Sequence, residues 1–315
     1  MDVERDSAMA SSGTGDSRLL GPDTKVRVSK TVRSRIIAAL PPRVHAALKV
    51  AKIATLRGEL PLHARANLLM QVPMMLMPAH STDFRLMLPG GPIYLGRDSF
   101  YIDALVLDYL WNGHVFGATC QDRVVLDLGA HKGYFGAWAL KHGASFVISC
   151  EPQSDNVQVL ERTRSENVRS DDWEVMPIAV GANAGEVSLF VSPESWAHSI
   201  YAEMVDAVSV ERVAMVTLAT VLERAFEKRP GQPVVIKLNV EGSAGPILMA
   251  ATSAILAPVV EVHLDYEPGS PYNIAELFRH LATAGLDKVH NVVEEKKWTV
   301  SRGLGIRSVS GNTRA

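Results

Sequence analysis

Two cysteines, Cys120 and Cys150, are all that 315 residues contain. That excludes a disulfide scaffold and a multi-cysteine zinc site. So few thiols fit a reducing cytoplasm, which is the expected location. Neither sign of charge is in excess: 32 Lys and Arg against 34 Asp and Glu leave a net charge of −2. No global basic field marks a nucleic-acid binder, and with aromatics at 6% there is no evident basic-aromatic groove either. No clean run of 18 apolar residues occurs. The nearest, Ala244 to Val260, is broken by Gly245, Pro246, Thr252, Ser253 and Pro258 and reads as a buried helix leading to a strand. The N-terminus, Met1-Asp2-Val3-Glu4-Arg5-Asp6, lacks the charged-then-apolar pattern of a secretory leader.

What remains is an ordinary globular composition, 47% hydrophobic and 21% charged, long enough for about two domains. Residues 1–23, rich in Ser, Gly and Asp, read as a disordered tail. Residues 24–118 read as an N-terminal, mainly helical cap. Its first part, Thr24 to Gly58, holds nine Lys and Arg and no acid, with two short helices broken at Pro41-Pro42. This basic stretch is a candidate for peripheral contact with anionic lipid. Leu60 to Met77 is apolar and Met-rich, a composition that usually fills irregular core gaps. Ile102 to Trp111 has helical spacing and is expected to pack on the next domain.

Residues 119–315 alternate strand and helix. Val124–Leu128, Phe146–Cys150, Trp173–Ile178, Val234–Leu238 and Val259–Leu264 read as strands. Helices are expected at Gly133–His142, from a Ser154 cap to Glu166, from Leu218 to Phe226, at Ile247–Leu256 and after Asn273. Gly185–Val191 alternates as an added strand, and Val289–Glu294 with Trp298–Ile306 reads as a closing hairpin. This pattern predicts an α/β fold, a mostly parallel Rossmann-like sheet with helices on both faces.

Such sheets bind ligands at the carboxyl ends of their strands. The first strand ends in Asp127-Leu128-Gly129-Ala130-His131-Lys132-Gly133, an Asp-x-Gly-x-x-x-Gly loop. This is neither the G-x-G-x-x-G dinucleotide fingerprint nor a P-loop. The second strand is followed by Glu151, an acid placed to accept hydrogen bonds from a ribose diol. A glycine loop and such an acid, without a pyrophosphate fingerprint, favour S-adenosylmethionine over NAD, with Asp127 near the cationic end of the ligand.

Here the sequence resembles the FkbM-type S-adenosylmethionine-dependent methyltransferases, from about Phe100 to His263. The residues that carry the resemblance are Val125 to Phe135, Glu151-Pro152, Val216-Thr217-Leu218, Ile236-Lys237-Leu238-Asn239-Val240-Glu241-Gly242 and Glu261-Val262-His263. It implies a class I methyltransferase fold and an O-methyltransferase of a sugar, glycolipid or other glycoconjugate hydroxyl. A polyketide-type acceptor and a noncatalytic cofactor-binding scaffold are the competing readings. The cofactor set it implies is Asp127, Gly129, Ala130, His131, Gly133, Phe135, Glu151, Ala179 and Asn239. This sequence departs from the family where His131 replaces Asn, Asn239 and Ala219 replace Asp, and Ala244 replaces Glu. Lost carboxylates weaken a divalent-metal reading, so no metal is expected.

Three residues end adjacent strands on the ligand side. His263 titrates nearest neutrality and is taken as the general base. Lys237 orients an acid or stabilises the developing oxyanion, and Glu241 orients a base or contacts the cofactor. Trp196, His198, Ser199 and Tyr201 lie in a loop placed for acceptor contacts. Expected partners are a small-molecule or glycolipid acceptor and no nucleic acid; a homo-oligomer is compatible with the sequence.

Overall fold

The structure is a computed structural model, and it describes residues 41–55, 62–77, 83–96, 99–111, 119–266, 272–293 and 297–302. The tail, the helix expected before Pro41 and the end of the closing hairpin beyond Arg302 lie outside the described residues. All described residues belong to one unit, Pro41–Ala315.

Seven strands form the central sheet: β3 (Val124–Leu128), β4 (Phe146–Cys150), β5 (Trp173–Met176), β9 (Val234–Leu238), β10 (Val259–Asp265), β11 (Leu286–Val293) and β12 (Lys297–Arg302). Their order is β11-β12-β10-β9-β3-β4-β5. β3, β4, β5, β9 and β10 pair in parallel, and β12 runs antiparallel between β10 and β11. The chain therefore winds outward from β3 to β5, then returns to β9 beside β3. That return is the topological switch point, where open α/β sheets bind ligands.

Each central strand is short, fully buried and mostly apolar because both faces are covered. Val125, Val147 and Val235 join one core with helices α1 (Pro42–Thr55), α2 (Leu62–Leu76), α3 (Phe100–Trp111) and α4 (Tyr134–Lys141). Val124, Leu126, Ile148 and Ile236 join another with α6 (Leu218–Lys228), α7 (Ala244–Ala250) and α8 (Ile274–Thr283). α5 (Ser154–Ser165) contributes Leu160 to the first core.

Several local expectations need correction. The cap of α5 is Gln153, whose side chain accepts from the Asn156 amide at 2.7 Å; Ser154 is already helical. α7 starts at Ala244 and ends at Ala250, earlier than the apolar run suggested. The mainly helical cap also holds a hairpin, β1 (Phe84–Leu88) and β2 (Gly91–Leu95), turned at Pro89-Gly90. Gly185–Val191, here β7, joins β6 (Ala179–Gly181) and β8 (Ser209–Thr217) in a separate three-stranded sheet. β8 carried no sequence expectation, because the adjacent Glu211 and Arg212 break the alternation of its apolar residues.

Candidate active site

A cavity of about 420 Å³ opens at the switch point, beyond the ends of β3, β4, β9 and β10. The glycine loop forms its floor. Gly129 has φ +76°, and a Cβ added there would lie 1.8 Å from the Asn239 carbonyl oxygen. Only a residue without a side chain lets the β3 and β9 loops approach this closely. Gly129 and Ala130 donate their amides to the Cys150 carbonyl, both at 3.0 Å, which ties the loop to the end of β4.

Beneath the loop is a buried ion pair. Asp127 and Lys237 face each other in register across β3 and β9. Lys237 Nζ donates to Asp127 Oδ1 at 2.8 Å and to the Gly129 carbonyl at 2.6 Å. Both side chains are buried, and Asp127 Oδ2 is a buried oxygen with no hydrogen-bond partner. The cation that meets Asp127 is therefore Lys237, not a ligand: Asp127 does not line the cavity, whereas Lys237 does.

Glu151 stands at the end of β4. Its carboxylate accepts from the backbone amides of His131 (2.8 Å) and Gln153 (3.0 Å). Burial pushes its pKa up to about 7, although those donors oppose the shift. Because the folded value is raised, its contribution to stability is complete below the ordinary carboxylate range and is lost as pH rises through about 7.

His131 takes φ +52° and Glu241 φ +38°; they are two of the three described non-glycine residues with positive φ, and both line the cavity. Such conformations cost of order 1–3 kcal/mol and concentrate at functional sites. His131 is held by Ser195 Oγ, 3.1 Å from its Nε2, and burial followed by the nearby lysines keeps its pKa well below the ordinary value. The adjacent Lys132 reaches back into the cap, to Asp103 of α3 at 2.9 Å. Asp103 also accepts from the Gly96 amide at 2.6 Å and Ser99 Oγ at 2.7 Å. The cap thus anchors the ligand-facing loop from behind.

The loop after β7 closes another wall. Phe190 and Ser199 exchange backbone hydrogen bonds at 2.8 and 3.2 Å, folding the loop back on β7. Ser199 Oγ donates to the Glu241 carbonyl at 2.8 Å. Trp196, His198 and Ser199 line the cavity; Tyr201 does not. His198 Nδ1 accepts from the Ser192 amide at 3.0 Å, so its ring proton sits on Nε2.

Of the residues expected from sequence, Gly129, Ala130, His131, Phe135, Glu151, Ala179, Asn239, Lys237 and Glu241 line one cavity. Gly133 sits behind the wall, where an added Cβ would meet Leu160. His263 is corrected more strongly. It is 1% exposed, lies outside the cavity lining, and donates from Nε2 to Glu261 Oε1 at 2.5 Å while Nδ1 faces Thr299 Oγ1 at 3.0 Å. Burial alone would raise the pKa of Glu261, but the His263 hydrogen bond and Arg123 hold it down. With both ring nitrogens engaged in the sheet, His263 is a structural residue in place of the expected base.

Sequence reasoning missed the wall supplied by α3: Ile102, Leu105, Val106, Tyr109 and Leu110. Their i, i+3, i+4, i+7, i+8 spacing was legible as helix packing, with nothing to mark it as a cavity. It also missed Lys297, which pairs with Asp265 at the rim; both line the cavity. Among the described residues, no three His, Cys, Asp or Glu side chains are grouped to hold a metal ion.

No curated protein matches the sequence. Among solved structures, the methyltransferase FkbM from Methylobacillus flagellatus is similar at 16% identity, with 57% of this chain, 43% of that chain and a TM-score of 0.38. The chain thus spans less than half the length of that relative. A TehB-like S-adenosylmethionine-dependent methyltransferase from Corynebacterium glutamicum follows at 11% identity (60% of this chain, 84% of that chain, TM-score 0.32). Magnesium protoporphyrin IX methyltransferase from Synechocystis stands at 12% (65% and 82%, TM-score 0.33). The methyltransferase FkbM domain matches residues 127–285, half of the chain. That match begins at the aspartate of the buried ion pair and ends at the glycine that turns the chain into β11, and so spans the switch point and both halves of the sheet: the chain belongs to the FkbM methyltransferase family.

Proposed function

We propose that the protein is an S-adenosylmethionine-dependent O-methyltransferase whose acceptor is a hydroxyl on a sugar, glycolipid or other glycoconjugate. The observation that carries the reading is Glu151: a buried carboxylate at the end of β4, beside a glycine loop that only a residue without Cβ can form. A carboxylate has about four lone-pair positions. Two backbone amides take one on each oxygen, and the others suit a ribose diol. Gly129, Ala130, Phe135, Ala179 and Asn239 would hold the rest of the cofactor, which supplies an electrophilic methyl group when bound.

The acceptor side is mixed, as an amphiphile needs. Ile102, Leu105, Val106 and Leu110 offer an apolar wall, and Trp196, His198, Asp265 and Lys297 offer aromatic and polar contacts near it. An attacking hydroxyl must lose its proton, which a placed base accelerates by about 10²–10⁴-fold. His198 carries its proton on Nε2, so the free-nitrogen position is already used. Glu241, on the cavity wall, takes the role of base, and Lys237 positions the loop through Asp127 and Gly129.

Glu151→Ala is expected to weaken S-adenosylmethionine binding at least tenfold, because hydrogen bonds to a charged group contribute about 1.5–3 kcal/mol each. Unchanged affinity by calorimetry in a folded variant overturns the cofactor assignment. The wild type carries a pH signature of the same contact. Protonated Glu151 loses its charge, so affinity should fall as pH drops through about 7, by no more in total than Glu151→Ala loses, and level off above it. Glu241→Gln should keep cofactor affinity and lose about 10²-fold or more in turnover, read as S-adenosylhomocysteine release over a panel of glycolipid, free-sugar and polyketide acceptors. Turnover within threefold of wild type removes Glu241 as the base.

A further inference from the structure

The outward face of α2 is apolar, and nothing in the cavity chemistry uses it. Sequence composition suggested that its methionines fill core gaps; the structure buries Ala64, Leu68 and Met75 and turns the others outward. Leu62, Leu69, Met70, Met74 and Leu76 are exposed, Leu62 at 83% and Met70 at 69%, together with Ala66 and Pro73. At 100° per residue these seven positions cover an arc of roughly 160°. His63 is the one polar residue inside that arc, and Met77, just past the helix end, is exposed as well. A surface helix ordinarily carries polar residues there. Scattered apolar residues need no explanation, but a contiguous face marks an interaction surface.

We propose that α2 lies on an anionic lipid bilayer, its apolar face in the headgroup–acyl boundary. Charge selects this occupant. Among the described residues from Pro41 to Met77 there are four Lys and Arg and no Asp or Glu, in a chain whose net charge is −2. α1 packs directly against α2 and carries Arg43, Lys49 and Lys52, and α2 itself carries Arg65. Arg43 donates to the Met77 carbonyl at the end of the apolar face. Lys49 and Lys52 share Asp108, at 2.8 and 2.9 Å, so that cluster keeps a positive excess. A second copy seated on this face would bring two such basic segments together, which like-charge repulsion opposes. The chain's own first 23 residues are polar and net acidic, with little apolar surface to lay over the helix. A bilayer offers both complements: hydrocarbon for the methionines and leucines, phosphates for the cations. No described helix is long and apolar enough to cross a membrane, so the contact is with one leaflet. α1 also packs against α3, the helix that walls the cavity, so one helix stands between α2 and the cavity wall. The inference stands on charge and exposure alone and does not depend on methyl transfer.

The test is co-sedimentation of the full chain with vesicles of phosphatidylcholine alone or mixed with phosphatidylglycerol. Binding is expected to the mixed vesicles, weakened by salt, and reduced at least tenfold by Met70→Glu combined with Met74→Glu. Val208→Glu, which removes an exposed apolar side chain in another part of the chain, should bind like wild type. The altered positions are exposed, so melting should be unchanged; if the charged pair lowers it, Met70→Gln with Met74→Gln should give the same loss. Absence of binding to the mixed vesicles overturns the proposal, and so does undiminished binding by the paired variants. A dimer in light scattering that the paired variants convert to monomer assigns the face to a second copy instead.

Discussion

Replacing Lys237 by methionine is expected to destabilise the protein by about 3–5 kcal/mol. The reason is not the loss of an attractive contact but what remains. Asp127 is wholly buried, and Lys237 Nζ at 2.8 Å is the cation that meets its carboxylate. One carboxylate oxygen already lacks a hydrogen-bond partner, so little else compensates the charge once the amine is gone. The same amine holds the Gly129 carbonyl at 2.6 Å, so the ligand-facing loop loses an anchor in the same step. Replacing both partners, Asp127→Leu with Lys237→Met, should cost less than the single change, because a buried pair swapped for apolar residues is often near neutral. Denaturant melts of the wild type, the single and the double variant decide the matter. A single-variant cost below about 1 kcal/mol contradicts a buried charge pair.

Gly129→Ala should be at least as damaging. Its φ of +76° alone costs alanine about 1–2 kcal/mol. The larger penalty is steric. The new Cβ would fall 1.8 Å from the Asn239 carbonyl oxygen, a backbone atom of the neighbouring loop that no rotamer change can move. Either the β3 and β9 loops separate, taking Asn239 and Glu241 away from the cavity, or the fold is lost. A fall in Tm of about 10 °C or more is expected, together with loss of cofactor binding in whatever fraction folds. Wild-type affinity in Gly129→Ala would mean that close approach of the two loops is not what shapes the site.

The two variants separate what was legible in the sequence from what was not. The strands at Val124–Leu128, Phe146–Cys150 and Val234–Leu238 could be read because strands buried on both faces are short, mostly apolar runs, each with a single polar residue here. The glycine loop and Glu151 could be read because ligand contacts at strand ends leave a local pattern. Burial depth left no such pattern. Lys237 and His263 are in register on adjacent strands, and alternation alone treats them alike. The lysine side chain is long enough to reach Gly129 at the cavity, whereas the shorter imidazole is held by Glu261, two residues earlier on its own strand.

By itself the sequence determined the α/β class, the position of the glycine loop that lines the cavity, the acid after the second parallel strand and the family to which the chain belongs. These follow from local periodicity, from glycine's freedom at one turn and from residues close together in the chain. Tertiary structure alone decided which charges neutralise one another, because Asp127 and Lys237 are 110 residues apart and meet only through strand register. It alone decided that α3 walls the cavity and that Asp103 secures Lys132 from behind. It also decided that Met70 and Met74 of α2 face outward while Met75 is buried. An apolar helix buries whichever face its neighbours can cover, and α1 and β1 cover only one side of it.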